Sequence, residues 1–420
     1  MAFVGLPPLD AQGYVRLFVS LLSFVLATGT AAVAFADFQH VPVDSSLGLR
    51  LGHFYLLQDD SAVESARSRI DKVGFASAEK VFDAALQRDA GSAYRWCDKG
   101  ELLLHDGNPD QAAYCYGRAG ELAPKDVRIL LDLGDYYSSI GKTDLALKDF
   151  SEVLHQTGAP AQDILTANVF GYYQSLKIVE NHLLDEAIPD VPNAFAFFRF
   201  ERQIGDMAAL RDLWNWTCQM SFDTDQMAVE YANFMLSKQQ YDAAGEGWAR
   251  HFAARKDGFP RSTLIFNGGF EYELTDGAFD WQLGSSDSFK GARDHQIRQS
   301  GEYSYRIDFD GNKNINLRDR KQTVYVHPGK YHFEGWLRTS RITSDEGIRF
   351  RIRTSSDKSP FAVETPALTG TNDWTRMDLD IEVPSGIPLL EIDIARRPSL
   401  RVDNQLSGTV WIDSVKLTPQ

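Results

Sequence analysis

The chain has 420 residues, of which 43% are hydrophobic and 24% charged, a composition typical of globular proteins and sufficient for two or three cores. Its formal net charge is −15. Residues 264 to 420 contain 20 Lys and Arg against 23 Asp and Glu, so −12 of the total belongs to the first 263 residues. Such an acidic part repels phosphate backbones, which excludes nucleic acid as an expected partner.

The first distinctive segment is apolar. Residues 17 to 36 are twenty uncharged residues, just enough for a helix to cross a bilayer. The small-residue pattern A-F-A that ends at residue 36 is equally typical of a secretory signal. Residues 1 to 36 are therefore interpreted as a signal peptide or as a transmembrane anchor, with residues 37 to 58 as a linker. Both interpretations predict a periplasmic or extracytoplasmic body, held at the inner membrane if the segment is uncleaved; a core helix of a cytosolic protein is the alternative.

Two 34-residue segments, 93 to 126 and 127 to 160, match each other. Their paired positions are Gly100 with Gly134, Gly107 with Gly141, Ala112 with Ala146, and Tyr116 with Phe150. Small residues at these points let two antiparallel helices approach closely, and the aromatic residue fills the gap to the next pair. A repeat of this length predicts an array of helical hairpins.

The period and the pattern resemble the tetratricopeptide repeat, including Ala119 and Pro124 near the end of the first segment. The same register extends over residues 59 to 258, although residues 161 to 190 have lost it. The resemblance implies a helical solenoid with a long concave surface that binds a protein partner. A spacer between the membrane and the C-terminal domain is the alternative.

For two kinds of side chain in this array, Tyr and Cys, the sequence allows more than one environment. Tyr137 occupies a packing position, whereas Tyr136 is expected to face solvent or a ligand. Cys97, Cys115 and Cys218 are odd in number and lack the spacing of metal ligands. Cys97 and Cys115 are either a disulfide or two small buried hydrophobic residues.

Beyond residue 263 the hydrophobic period changes to two, as in half-buried antiparallel strands. Predicted strands cover residues 303–309, 322–340 with a turn at 327–330, 347–355, 374–384, 389–397 and 408–419. Short strands separated by turns favour a β-sandwich. The predicted fold class is therefore multidomain, all-α and then all-β: a signal or membrane helix, a helical repeat solenoid over residues 59 to 258, and an antiparallel sandwich over residues 264 to 420.

Five motifs occur in a characteristic order in this second part: NGGFE, SGEYSYRI, VHPGKYHFEGWLRT, TNDWTRMDLDIEVP and VWIDSVKLTP. Their order resembles that of galactose-binding-like jelly rolls, in particular the carbohydrate-binding modules of xylanases and cellulases. The resemblance covers residues 264 to 420. It implies the fold more strongly than sugar binding, because the same jelly roll serves many other roles.

The resemblance also implies a metal. In that family the opening Glu and the closing Asp lie near a structural calcium ion, and the matching residues are Glu271 and Asp413. Carboxylate oxygens suit calcium. The alternative is that both carboxylates only cap turns.

Alternation within YHFEGWLR predicts where a sugar would bind. Its apolar side chains, Tyr331, Phe333 and Leu337, are predicted to enter the core. The opposite face then carries Trp336 with three polar neighbours, His332, Glu334 and Arg338. An aromatic ring among polar side chains is typical of sugar sites, so these four residues are the predicted carbohydrate-binding residues.

The next strands carry charge. Alternation exposes Arg351 between Arg349 and Arg353, and it exposes Glu391 and Asp393 on another strand. These residues form either a cross-strand charge ladder or a site for anionic sugars, and in the second case Arg351 joins the carbohydrate-binding residues. Three further Trp match structural positions of the resembled family and are expected in the core: Trp281, Trp374 and Trp411.

The sequence has no G-x-S-x-G, P-loop, dinucleotide-binding or H-E-x-x-H motif. We therefore expect no enzyme activity, with a polysaccharide-active enzyme as the third alternative. The first hypothesis is an exported scaffold whose repeats bind a protein and whose sandwich binds a polysaccharide. Its architecture resembles accessory proteins of bacterial exopolysaccharide synthesis and export. The second hypothesis makes the sandwich a docking or structural domain without sugar binding.

Overall fold

The computed structural model describes residues 75–158, 164–255, 258–275, 277–354, 361–402 and 404–420. The predicted signal or anchor, the linker and the start of the repeat array lie outside these residues. Within them, no helix is both long and apolar enough to cross a membrane. The chain divides into two compact units, Met1–Pro189 and Asp190–Gln420.

The described residues form helices first and strands afterwards, which confirms an all-α part followed by an all-β part. The helices of the first unit are α1 (Phe75–Arg88), α2 (Ala93–His105), α3 (Pro109–Leu122), α4 (Val127–Ser139), α5 (Thr143–Thr157), α6 (Ile164–Ser175) and α7 (Leu184–Ala187). The second unit begins with α8 (Val191–Ile204), α9 (Met207–Gln219), α10 (Asp225–Ser237) and α11 (Tyr241–Phe252). The carboxylates of Asp126, Asp190 and Asp206 accept backbone N–H groups and so fix where α4, α8 and α9 begin.

The two matching segments fold as two helix pairs, α2 with α3 and α4 with α5. In the first pair a Cβ on Gly100 would lie 2.9 Å from the ring of Tyr116, and in the second a Cβ on Gly134 would overlap the ring of Phe150. Only glycine leaves room for an aromatic ring at this distance. The recurring glycine and aromatic residue are therefore one packing contact, repeated after 34 residues.

One expectation for this unit is wrong. Tyr136 is buried, with only 6% of its surface exposed, and its ring stacks on Tyr116 at 4.2 Å. The Tyr116 side chain extends from α3 toward α4 and covers the residue that was expected to be free. Cys97 and Cys115 are buried free thiols, and burial raises the pKa of both.

The Gly134 contact gives a stability prediction. A Gly134→Ala change is expected to lower the free energy of unfolding by about 1–3 kcal/mol, because the Phe150 ring is fully buried and stacked on Tyr172 at 4.7 Å and has nowhere to move. The control is Gly117→Ala in α3, where nothing lies within 4 Å of the added carbon. The control is expected to be neutral or to stabilise by up to about 1 kcal/mol. Denaturant unfolding measures both, and equal effects would contradict the packing argument.

Ten strands follow among the described residues of the second unit. They are β1 (Trp281–Gln282), β2 (Phe289–Asp294), β3 (Ser304–Asp310), β4 (Lys321–Tyr325), β5 (Gly329–Ile342), β6 (Arg349–Thr354), β7 (Ala362–Glu364), β8 (Gly370–Val383), β9 (Leu389–Ala395) and β10 (Ser407–Pro419). All six predicted runs are confirmed as strands, and the run 322–340 is divided into β4 and β5 at the predicted turn. The sequence pattern did not predict β1, β2 and β7.

The strands form two antiparallel sheets of five. Sheet I has the order β1-β4-β9-β6-β7, and sheet II has the order β2-β3-β10-β5-β8. Their inner faces enclose one continuous apolar core, which includes Trp281, Phe333, Phe350 and Ile412, all fully buried. Consecutive strands often belong to different sheets, and this arrangement decides which predicted site residues lie together.

The last helices of the second unit pack against its sandwich. The Tyr325 hydroxyl donates a hydrogen bond to Asp242 at 3.0 Å, and a Cβ on Gly245 of α11 would overlap the Tyr325 ring. Trp248 of α11 contacts Phe266 edge to face at 5.4 Å. Helix α11 is thus fixed against one end of β4.

Candidate functional site

The outer face of sheet II carries four of the predicted site residues. Along β5, Tyr331, Phe333 and Leu337 enter the core as predicted. The alternate side chains face outward and are half-buried: His332, Glu334, Trp336 and Arg338. The structure therefore brings these four residues onto one strand face.

Trp336 lies within a network of charged side chains. Its indole N–H donates to Glu334 at 3.3 Å, and the other oxygen of Glu334 contacts Arg376 of β8 at 3.0 Å. On either side, Arg338 pairs with Asp373 at 2.9 Å and His332 with Asp380 at 2.8 Å. We call Trp336, His332, Glu334, Arg338 and Arg376 the Trp336 platform. The hydrogen bond from His332 holds the pKa of Asp380 below its usual value.

A second Trp lies on the same face. Trp411 of β10 is buried as expected, but it pairs in register with Arg338 and therefore lies on the outer face of sheet II and not between the sheets. Only 7% of its surface is exposed, and its N–H donates to Asp294 at 2.8 Å. Trp374 is also outside the core and half-buried, whereas Trp281 is confirmed in the core. Arg376 and Trp411 are the neighbours that sequence analysis missed, since only the strand register shows them beside β5.

Arg351 lies on the other sheet. Its guanidinium donates twice to one oxygen of Asp393, at 2.7 and 2.9 Å, across the pair β6 and β9. The structure therefore divides the predicted carbohydrate-binding residues: four on the outer face of sheet II and Arg351 on the outer face of sheet I. No single ligand ring contacts both groups, because the core separates the two faces.

The charged side chains around Arg351 form a ladder across three strands. Arg353 contacts Asp393 at 2.8 Å and Glu391 at 2.5 Å, and Lys321 of β4 pairs with Glu391 from the other side. The expectation that Glu391 and Asp393 are exposed is wrong, since they are 5% and 0% exposed. The long side chains of the flanking strands lie over them. We call these four residues, together with Arg351, the charge ladder; its pairing matches the structural alternative.

Glu271 and Asp413 meet at one turn. Asp413 is fully buried and accepts the N–H groups of Gln299 at 2.7 Å and Ser300 at 3.1 Å. Glu271 accepts the N–H groups of Glu302 at 3.0 Å and Tyr303 at 3.3 Å. Both carboxylates thus cap the segment from 299 to 303.

The same two carboxylates fit the charge requirement of calcium. Glu271 Oε1 and Asp413 Oδ1 each lie 3.8 Å from the position that a Cβ on Gly269 would take. Burial raises the pKa of Asp413, and no Lys or Arg of the described residues forms an ion pair with it. Within that same part of the chain no group of three or more His, Cys, Asp or Glu side chains is placed to hold a metal. Further calcium ligands would have to be backbone carbonyls or water.

No protein-family model matches the chain. No curated protein sequence matches it either. Among solved structures, the enzymatically active domain of bacteriophage CBA120 tailspike protein 4 is 14% identical over 38% of this chain and 21% of its own length, with a TM-score of 0.27. This chain therefore spans about a fifth of that protein.

Other similar structures are carbohydrate-binding modules, whose jelly-roll folds the C-terminal part resembles. The CBM22-1 xylan-binding domain of Paenibacillus barcinonensis Xyn10C is 12% identical over 36% of this chain and 91% of its own, with a TM-score of 0.27. The C-terminal family 22 module of Clostridium thermocellum Xyn10B is 12% identical over 36% and 94%, with a TM-score of 0.25.

Proposed function

We propose that the chain is a non-catalytic binding protein whose sandwich binds a polysaccharide at the Trp336 platform. The observation that supports this most directly is the outward, half-buried indole of Trp336 between Glu334 and Arg338. A sugar ring stacks its apolar face on an indole, while charged neighbours bond its hydroxyl groups. The platform combines both kinds of contact on one strand.

We extend the proposal to the helices as a tetratricopeptide-like array that binds a protein partner. Its support is the repeated contact of Gly100 with Tyr116 and of Gly134 with Phe150. Stacked helix pairs present extended surfaces that suit such partners. Export to the periplasm or outside the cytoplasm, an inner-membrane anchor at residues 17 to 36, and a role in exopolysaccharide synthesis or export belong to the same proposal and rest on sequence alone.

The second candidate function is a docking or structural role for the sandwich without sugar. It is favoured by one observation: the polar groups around Trp336 already pair with each other, Glu334 with Arg376 and Arg338 with Asp373. A sugar hydroxyl would have to replace or share these contacts.

Binding measurements distinguish the two functions. The chain is screened against a glycan array, and calorimetry follows with the oligosaccharides that bind. Trp336→Ala is expected to weaken binding at least about tenfold, equivalent to 1.4 kcal/mol, while Trp336→Phe retains most of the stacking. Arg351→Gln on the opposite face is the matched control and is expected to leave binding unchanged.

The remaining outcomes contradict the proposal in different ways. If no glycan binds, the docking role is favoured and the sugar proposal is wrong. If Arg351→Gln weakens binding while Trp336→Ala does not, the sugar binds the charge ladder. A pull-down from envelope extracts tests whether the helices bind a protein partner through residues 75 to 158. Recovery of no defined protein would contradict the proposed partner binding.

A further inference from the structure

Strand β8, with 14 residues, forms one of the two edges of sheet II. Among the described strands β8 pairs with β5 alone, and nine consecutive residues, 375 to 383, stay in unbroken antiparallel register with β5. The edge strands of sheet I are much shorter, since β1 has two residues and β7 has three. Every second residue of an edge strand directs its N–H and C=O away from the sheet, where another extended chain can pair with them.

The side chains of this edge carry a row of negative charge. On the outer face, Asp378, Asp380 and Glu382 are exposed at alternate positions. Arg376 continues the row, but its charge is engaged by Glu334 at 3.0 Å. His332 and Gln420 contact Asp380 at 2.8 Å each, and Lys330 lies opposite Glu382. The row therefore keeps a net negative charge along the edge.

The inner face of the same strand is apolar, so a strand added beside it would need apolar side chains on that face. Met377, Ile381 and Val383 are buried in the core, while Leu379 is only half-buried and packs at its rim. An added strand would cover Leu379 if its inward side chains were aliphatic. Its outward side chains would lie beside the three carboxylates.

A second copy of this chain does not fit the edge. Antiparallel pairing of β8 with another β8 would bring Asp378, Asp380 and Glu382 beside the same acidic row. Like charges on neighbouring strands destabilise a sheet. Repulsion between the acidic side chains thus disfavours pairing of β8 with a second β8. A strand with basic side chains has the complementary charge.

We propose that β8 is a docking edge for an extended segment of a partner protein that alternates Lys or Arg with aliphatic residues. The partner adds an eleventh strand to the sandwich by backbone hydrogen bonding. Its basic side chains contact Asp378, Asp380 and Glu382. This mode of recognition uses main-chain bonds for affinity and alternate side chains for specificity.

The test uses the full chain and a fluorescent nine-residue peptide that alternates Lys and Val. Fluorescence anisotropy is expected to show saturable binding that weakens as salt is raised. The triple variant Asp378→Asn, Asp380→Asn and Glu382→Gln is expected to bind at least tenfold more weakly. A control variant, Asp110→Asn, Asp144→Asn and Asp185→Asn, removes the same charge from exposed positions of the first unit and is expected to bind normally.

A second peptide separates edge pairing from simple charge attraction. It has the same side chains, but every second amide is N-methylated and cannot donate to β8. We expect at least a tenfold loss of binding for this peptide. Equal binding of the two peptides, or no binding of the first, would overturn the proposal. Full binding by the triple variant would overturn the basic character of the partner, and thermal unfolding of that variant checks that it is folded.

Discussion

Replacement of Arg396 by Met is expected to lower the free energy of unfolding of the sandwich by about 3–5 kcal/mol. Arg396 is 1% exposed, and its guanidinium donates to groups from three segments of the chain. The acceptors are the carbonyl oxygens of Ile315, Glu346 and Asn404, the side-chain oxygen of Asn314 and the hydroxyl of Ser344. Methionine matches part of the volume but supplies no donor, so these buried acceptors lose their partner at about 1–3 kcal/mol for each group that water does not reach.

The next residue supplies the control. Arg397 has a side chain that is 64% exposed and pairs with Glu364 at 2.7 Å. Exposed ion pairs contribute little, so Arg397→Met is expected to cost about 1 kcal/mol or less. Denaturant unfolding of both variants, followed by far-ultraviolet circular dichroism, gives the comparison. An equal loss of stability in the two variants would show that the hydrogen bonds of Arg396 to the three chain segments do not stabilise the sandwich.

Arg396→Lys refines the same prediction. A lysine keeps the charge but has three donors at one point, whereas the guanidinium reaches acceptors on several sides. We expect an intermediate loss, since some of the five acceptors remain unpaired. Full stability of the lysine variant would mean that the charge alone matters.

Local patterns in the sequence predict the elements of this protein well. Period two locates six strand runs because one face of each strand enters the core, as Phe333 and Ile352 do. The 34-residue offset predicts helix pairs because Gly134 and Phe150 form one contact. The strand β1, with two residues, is too short to show any period.

The composition of the candidate site is harder to predict. Alternation shows that Trp336 and Arg351 both point away from the core, but it does not show which sheet each strand joins. The strands β5 and β6 follow each other in the chain and belong to different sheets, so the two side chains lie on opposite faces. Trp411 joins Trp336 only through the register of β10 with β5. The sequence pattern does not predict the role of Arg396, because four of its five acceptors lie about 50 to 80 residues earlier in the chain.

The second large effect concerns Asp413. Asp413→Ala is expected to destabilise the sandwich by about 2–4 kcal/mol, because the partly buried N–H groups of Gln299 and Ser300 lose their acceptor. We further propose that Glu271 and Asp413 hold calcium. Calcium at a hundred times its dissociation constant would then stabilise the native protein by about 2.7 kcal/mol. Thermal unfolding with calcium and with a chelator measures this increment.

The dependence on pH follows from the raised pKa of Asp413. Without calcium, the folded state favours the protonated carboxyl, so its contribution to stability is present at low pH. That contribution falls as the pH rises from the ordinary Asp pKa of 3.8 through the raised pKa of Asp413 in the folded state. Calcium binds only the ionised carboxylate, so its stabilising increment must grow over the same pH range.

Asp280 provides the matched control for calcium. It is also fully buried with a raised pKa, and it accepts hydrogen bonds from Thr275 and Trp281. Asp280→Asn is expected to leave the calcium increment intact, whereas Asp413→Ala and Glu271→Gln remove it. If wild-type protein shows no increment at neutral pH, Glu271 and Asp413 act as turn caps alone. The large loss in Asp413→Ala would still be expected in that case, since it depends on Gln299 and Ser300 and not on the ion.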